Sequence, residues 1–277
     1  MRVKRLAFCA ALVSSAATTV PAYAVPALQA HRAVYDLSLE KASDRSGITG
    51  ITGRMVYEFN GSPCEGYTVN FRFVTQVATA EATRLSDQQT TTYEDAKGKT
   101  FSFVTKSFTD QALDKEVKGT ATRNEKGVEV DLDKPEKSVL ELGATRFPTQ
   151  HLVELIDRAE KGEHFYETDI FDGSENADKV MTTTVVVGKK AQADKNDPEL
   201  PALAKLATDK YWPVDIAYFD LSDKESGEEV PEYRISFKLH ENGLTRDLVM
   251  DYGDFSMTGK LVNLALFDKA SKKACGK

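Results

Sequence analysis

Four histidines are the side chains of this 277-residue chain most able to do acid–base chemistry. His31 and His240 fall within strand-like patterns, whereas His151 begins a helical pattern and His164 follows its end. His151 is the best candidate for a functional role because the start of a helix lowers the pKa of a histidine. A buried, hydrogen-bonding histidine is the alternative that we favour. The chain contains no G-x-S-x-G elbow, no H-x-x-x-H or H-E-x-x-H pair and no C-x-x-C pair. We therefore predict no catalytic residues, no cofactor and no metal site, and a protein that is not an enzyme.

Two groups of acidic residues could also do chemistry. Glu129, Asp131 and Asp133 alternate along one predicted strand and offer oxygen ligands for calcium. No EF-hand loop or nonapeptide repeat surrounds them, which favours a solvated strand face. Asp251 and Asp254 are spaced closely enough to suggest a carboxylate pair for glycoside cleavage. We favour the interpretation that these two residues shape a turn.

The first 24 residues are typical of a secretory signal peptide. Arg2, Lys4 and Arg5 precede an apolar run, and a closing A-x-A pattern predicts cleavage between Ala24 and Val25. No later stretch approaches the roughly 20 apolar residues that a transmembrane helix needs. We expect a mature protein that is soluble in the periplasm and has no lipid anchor.

The mature chain is acidic and keeps two cysteines. Removal of the signal takes three basic residues and no acidic one, which moves the net charge from −7 to −10. That charge disfavours nucleic acid and anionic membrane surfaces as partners. Cys64 and Cys275 remain, and an oxidising compartment favours one disulfide bond between them. The functional alternative, a redox-active pair, would more usually have C-x-x-C spacing.

One helix stands out between two long runs of strand-like sequence. After Phe147-Pro148, its apolar face is formed by residues with helical spacing, namely Leu152, Leu155, Ile156 and Ala159. Thr149 is predicted to cap the first turn, and Gly162 to end the helix in the left-handed conformation. The apolar face must pack against a sheet, because no other element is available.

The rest of the chain alternates with a period of two. From Gln29 onward, the predicted strands include residues 54–59, 67–73, 81–94, 99–108, 113–122, 127–133, 163–171, 180–188, 211–221, 232–240, 244–252 and 255–267. Residues 60–63 and 241–243 are predicted turns, 189–201 a mobile loop, 203–208 a short helix, and 223–229 a solvated hairpin tip. Short connections make successive strands antiparallel neighbours, and about a dozen strands must either curl and close or stack. We see no composition break, so residues 25–277 are predicted to form one domain.

A series of short motifs extends over nearly the whole mature chain. They are His31-Arg32-Ala33-Val34-Tyr35-Asp36-Leu37, Cys64-Glu65-Gly66-Tyr67-Thr68, Leu142-Gly143, Phe147-Pro148-Thr149, His151, Phe171-Asp172-Gly173-Ser174, Ala217-Tyr218-Phe219, Pro231-Glu232-Tyr233, Asp251-Tyr252-Gly253-Asp254-Phe255 and Cys275. Each motif is weak alone, but their order along the chain is specific. In that order they resemble the alphaproteobacterial cell-envelope integrity proteins of the EipB type.

The resemblance implies a spiral-shaped, nearly closed antiparallel β structure related to LolA and LolB, with the helix covering an open side. It also implies a bond between Cys64 and Cys275. For function it implies a non-enzymatic envelope-integrity protein that binds a periplasmic partner, with a tetratricopeptide-repeat protein as the suggested partner. A carrier of lipid or lipoprotein acyl chains is the alternative, because a curved sheet lined with Phe and Leu could hold them. An unrecognised hydrolase is the third class.

Overall fold

Residues 28–221 and 230–268 are described by the structure, a computed structural model. Within those ranges the strands are β1 (His31–Ala42), β2 (Ile48–Ser62), β3 (Gly66–Thr79), β4 (Thr83–Glu94), β5 (Thr100–Thr109), β6 (Ala112–Arg123), β7 (Val128–Lys134), β8 (Ser138–Leu142), β9 (Phe165–Ile170), β10 (Met181–Val187), β11 (Tyr211–Phe219), β12 (Tyr233–His240), β13 (Thr245–Asp251) and β14 (Phe255–Leu266). The helices are α1 (Pro148–Glu160) and α2 (Leu200–Leu203), with 3-10 turns at Asp44–Ser46 and Ala204–Leu206. The predicted cleavage site at Ala24 and Val25, the charged run 223–229 and Cys275 lie outside the described residues.

All fourteen strands belong to one antiparallel sheet. Its order is β8-β7-β6-β5-β4-β3-β2-β1-β14-β13-β12-β11-β10-β9. Successive strands are neighbours where their connections are short, whereas β8 and β9, which flank α1, lie at opposite edges of the sheet. β1 joins β14 in the middle of the sheet. The prediction of a mostly β, antiparallel structure with one main helix is confirmed, with fourteen strands in place of about a dozen. The relation to LolA and LolB stays a prediction.

The two outer strands, β8 and β9, leave the sheet open. The chain between β8 and α1 nonetheless reaches β9, where Arg146 forms a parallel bridge to Ile170. The Arg146 N–H donates to the Asp169 carbonyl at 2.8 Å, and the Phe171 N–H donates to the Arg146 carbonyl at 2.9 Å. The sheet is therefore curled until its edges approach each other without closing.

The helix α1 begins at Pro148, one residue before Thr149. The prediction that Thr149 caps the first turn is therefore wrong. Phe147 is the N-cap residue, and Pro148, whose ring fixes φ and which has no N–H, takes the first helical position. The carboxylate of Glu94, at the end of β4, accepts the Thr149 N–H at 2.8 Å and the Gln150 N–H at 3.2 Å. A residue distant in sequence thus supplies the capping acceptor.

Gly162 ends α1 as predicted. Its φ is +77°, and its N–H donates to the Ala159 carbonyl at 3.1 Å. On the apolar face, Leu155, Ile156 and Ala159 are buried in the larger of two core clusters, whereas Leu152 is half-buried at its margin. No helix in the described ranges is long and apolar enough to cross a membrane.

A second core cluster lies under β5–β7. Its aromatic centre is formed by Phe101, Phe103, Phe147 and Phe171. The rings of Phe101 and Phe147 stack with centroids 5.3 Å apart, and Phe171 meets Phe103 edge-on at 5.8 Å. The residue before α1 and the residue after β9 are therefore fixed in the same cluster.

Several boundaries differ from the prediction. Gly61 pairs with Tyr67, and Ser62 with Gly66, so the turn between β2 and β3 lies at 63–65 rather than 60–63. The turn at 241–243 is confirmed by the His240 N–H, which donates to the Leu244 carbonyl at 2.9 Å. The short helix predicted at 203–208 begins instead at Leu200. β8 was not predicted, because five residues are too few to establish an alternating pattern.

Candidate functional site

A cavity of about 680 Å³ lies between the two halves of the curled sheet. One wall comes from the inner faces of β1–β3, with Tyr35, Met55, Tyr57, Phe71 and Phe73. The facing wall comes from β12 and β13, with Ile235, Phe237, Leu248 and Met250. This volume falls within the range of small-molecule pockets, roughly 300–1,000 Å³.

The same cavity becomes polar towards β4–β6. Gln88, Ser107 and Lys115 are consecutive cross-strand partners along this side. Lys115 Nζ donates to Asn176 Oδ1 at 2.7 Å. The cavity therefore has an apolar end and a polar end, an arrangement that suits an elongated apolar group with a polar terminus.

Tyrosine hydroxyls in the apolar wall can donate hydrogen bonds but are poor bases. The Tyr35 hydroxyl donates to the Thr245 carbonyl at 2.6 Å. Burial, with a smaller contribution from the charge of Glu94, raises the pKa of Tyr57 to about 12. These phenols therefore stay protonated at neutral pH.

The 171–174 stretch borders the polar end of the cavity. Asp172 and Ser174 contribute to the lining, and the Ser174 N–H donates to Asp172 Oδ1 at 2.9 Å. Gly173 has a φ of +70°, and a Cβ there would lie 2.7 Å from the Phe103 ring. A side chain at this position is excluded both by the backbone conformation and by the aromatic cluster.

Three of the four histidines form hydrogen bonds with other described residues. His31 Nδ1 lies 2.7 Å from the Gln29 carbonyl, and His164 Nδ1 lies 2.8 Å from the Val187 carbonyl. His240 Nε2 accepts from Arg246 Nε at 3.1 Å. His151 is buried, and its Nε2 has no hydrogen-bond partner among the described residues. Within residues 28–221 and 230–268, none of the four forms a hydrogen bond with a Ser or Thr side chain.

Two of these histidines should make stability depend on pH. Burial lowers the pKa of His151 to about 4, and burial, then the charge of Arg246, lowers that of His240 to about 4. In the unfolded chain the pKa of a histidine is near 6.5, so between pH 4 and 6.5 the unfolded chain binds more protons than the folded protein does. The free energy of unfolding is therefore unaffected by these histidines above about pH 6.5. It falls as pH drops towards 4, by up to about 1.4 kcal/mol per pH unit for each histidine.

We expect His151→Phe to reduce that slope when denaturant unfolding is measured from pH 7 to pH 4. The exposed His164 provides the matched control, His164→Gln. If the unfolding free energy of His151→Phe depends on pH as steeply as that of the wild type, the lowered pKa of His151 is contradicted.

A buried group of charges joins the 189–201 segment to β13. Arg246 is 0% exposed, and its Nη1 lies 2.8 Å from both Asp197 Oδ2 and Glu199 Oε2. Glu199 Oε1 also accepts the N–H groups of Asp247, at 3.0 Å, and Leu261, at 2.7 Å. The second half of the predicted mobile loop is thus anchored to β13 and β14. This group was not predicted, because the polar composition of residues 189–201 is also typical of a surface loop.

The acidic groups named in the sequence do not come together as metal ligands. Asp133 pairs with Lys118 Nζ at 2.8 Å, and Glu129 and Asp131 are exposed on β7. Asp251 Oδ1 accepts the Gly253 N–H at 2.8 Å, as a turn-shaping residue does. Among the described residues, no group of three or more His, Cys, Asp or Glu side chains could hold a metal ion.

Cys64 lies in the turn between β2 and β3, near the end of β14. Leu266 of β14 is opposite His31, which in turn is opposite Phe59 of β2. The C-terminal end of β14 and the Cys64 turn therefore lie at the same end of the neighbouring strands β14, β1 and β2. The nine residues from Leu266 to Cys275 span at most about 30 Å, enough to cross two strand spacings. The disulfide bond itself stays a prediction.

We expect Cys64→Ser to lower the melting temperature without abolishing the fold. A bond that closes a loop of about 200 residues contributes on the order of 5 kcal/mol through the unfolded chain. The core carries the rest of the stability, and Cys275→Ser should have the same effect. Free reaction of both thiols with an alkylating agent in the native protein would show that the bond does not exist.

The fold and the cavity define an open, β-barrel-like antiparallel sheet with a ligand-sized interior. A crystal structure of a "beta-barrel-like protein of domain of unknown function" from Brucella abortus is similar, with a TM-score of 0.84 and 55% identity over 87% of this chain and 99% of that chain. The profile of the EipB-like family matches residues 22–268. The cell envelope integrity protein EipB of Brucella abortus (strain 2308) is 56% identical over 249 residues, 89% of this chain and 88% of the relative. The chain belongs to the EipB-like family, as its motifs predicted.

Proposed function

We propose that this protein supports the integrity of the cell envelope from the periplasm, without catalysing a reaction, by binding another periplasmic protein. The envelope role is supported by the relative with 56% identity, which is named a cell envelope integrity protein. The periplasmic location is supported by the signal-like first 24 residues.

The observation that carries the binding mode is the open edge of the sheet at β8. β8 pairs with β7 on one side only, and Val139 within it is 62% exposed. A strand with one free side is a ready template for pairing with another chain. A tetratricopeptide-repeat protein, the partner that the resemblance suggests, offers an extended concave surface to such a domain.

The test is recovery of a partner from the periplasm under mild crosslinking. The tagged, exported protein should enrich a tetratricopeptide-repeat protein. The same protein lacking residues 1–24, which stays in the cytoplasm, is the control and should not recover that partner. No enrichment of any periplasmic protein over the control would overturn the binding mode.

Carriage of a lipid or lipoprotein acyl chain is the second candidate, and the cavity of about 680 Å³ favours it. Each buried CH₂ of an acyl chain would contribute about 0.8 kcal/mol. Lipid mass spectrometry of organic extracts from the purified protein should then detect a bound lipid. Met55→Trp, which fills the apolar end, should lower the amount recovered, whereas the surface variant Asp114→Asn should not. Extracts without lipid would remove this candidate.

A further inference from the structure

The outer side of β8 is free to accept a strand. Apart from its pairing with β7, no residue of Ser138–Leu142 forms a backbone hydrogen bond to another described residue. Ser138, Val139 and Glu141 are exposed. Proteins usually protect such edges with Lys, Pro or a bulge inside the strand. β8 contains neither Lys nor Pro, although both precede it at 135–137.

The other edge of the sheet is different. At the end of β9, Arg146 already occupies the outer side through two backbone hydrogen bonds, of 2.8 and 2.9 Å, to Asp169 and Phe171. β8 is therefore the better candidate for adding a strand from another molecule.

The outer face beside this edge carries negative charges that lack cationic partners. Glu129 of β7 lies directly opposite Glu141 of β8, and Asp131 lies opposite Val139. All four side chains are exposed, and neither Glu129 nor Asp131 forms an ion pair with a described residue. Glu141 accepts one hydrogen bond, from Asn124 Nδ2 at 3.3 Å. Like charges directly opposite each other destabilise a sheet, and nearby positive charge would relieve that repulsion.

The inner face beside the edge is apolar. Leu140 and Leu142 are half-buried and pack against the second core cluster. A strand added to β8 would lie about 4.8 Å away and present alternate side chains to the two faces. One set would face Glu141 and its acidic neighbours, and the other would continue the apolar layer.

We propose that β8 docks an extended segment of a protein partner in which Lys or Arg alternates with apolar residues. Main-chain hydrogen bonds to β8 supply the attachment, and the alternating charges select the segment. This inference rests on the proposed binding of a periplasmic protein and adds the chemistry of the contact.

The test uses the mature protein and a fluorescent ten-residue peptide that alternates Lys and Val. Fluorescence anisotropy at low salt should show binding to the wild-type protein. Glu129→Lys/Asp131→Lys should weaken that binding by about tenfold or more. Asp114→Lys/Glu167→Lys, which reverses two exposed charges elsewhere, is the matched control. It should lose less binding than Glu129→Lys/Asp131→Lys does. Melting temperatures verify that both variants fold.

A second peptide distinguishes strand addition from simple charge attraction. Methylation of the amide nitrogens at alternate positions preserves the charges but blocks the hydrogen bonds of a ladder. This peptide should lose binding. Equal binding of both peptides, or no binding of the first, would overturn the inference. A periplasmic partner that co-purifies equally with wild type and with Glu129→Lys/Asp131→Lys would also overturn it, while leaving the proposed function intact.

Discussion

Replacing Arg246 by methionine should lower the free energy of unfolding by about 3–5 kcal/mol. The substitution removes the cation that faces Asp197 and Glu199, whose side chains are 4% and 2% exposed. Two carboxylates would then remain buried, with Asp197 still close to Lys238 and Glu199 without a cation among the described residues. An unpaired buried charge costs far more than the pair contributes, so the loss should be large.

The matched control is Arg45→Met, which breaks an exposed pair with Asp254. Exposed pairs contribute about 0–1 kcal/mol, so this variant should unfold almost like the wild type. Denaturant titration of both variants gives the comparison. Similar unfolding free energies for Arg246→Met and Arg45→Met would mean that the buried group does not anchor the 189–201 segment.

The same group should respond to strong acid. Burial alone would raise the pKa of Asp197, but hydrogen bonds led by that from Arg246 lower it to about 2. A lowered carboxyl pKa gives stability that is present above the ordinary value, near 4, and is lost as pH falls towards 2.

Ile156→Asp should destabilise the protein by about 3–5 kcal/mol. The substitution removes apolar volume from the core and also buries a polar group there. Ile156 is fully buried in the contact between α1 and the sheet, and Leu155→Asp should behave alike. The carboxylate introduced there would have no cation within the apolar cluster. Glu160→Ala, on the exposed side of the last turn of α1, is the control and should change stability by less than about 0.5 kcal/mol. Equal melting temperatures for Ile156→Asp and Glu160→Ala would show that α1 does not dock through this face.

Most of the sheet was predictable because its signal is local. Alternation of apolar and polar residues marks strands such as β12, and the 3.6-residue spacing of Leu155, Ile156 and Ala159 marks α1. The features that were not predicted depend on contacts between residues distant in sequence. Glu94 replaces Thr149 as the acceptor at the start of α1, and Arg246 holds the segment that was predicted to be mobile.

The cavity could not be predicted from the sequence either. Alternation identifies the inner face of β2 or β13, but it does not tell which strands face each other across the curled sheet. That information follows from the meeting of β1 and β14 and from the approach of the two edges through Arg146. The resemblance supplied the idea of a nearly closed structure.

Survival of a strain that lacks this protein is the most direct test of its role in the envelope. The strain is plated on detergents, bile salts and cell-wall antibiotics, with and without the gene restored. We predict that loss of the protein lowers survival under these stresses and that the exported wild-type protein restores it. A version without residues 1–24 should not restore survival. A deletion strain that tolerates every envelope stress tested would contradict a role of this protein in envelope integrity.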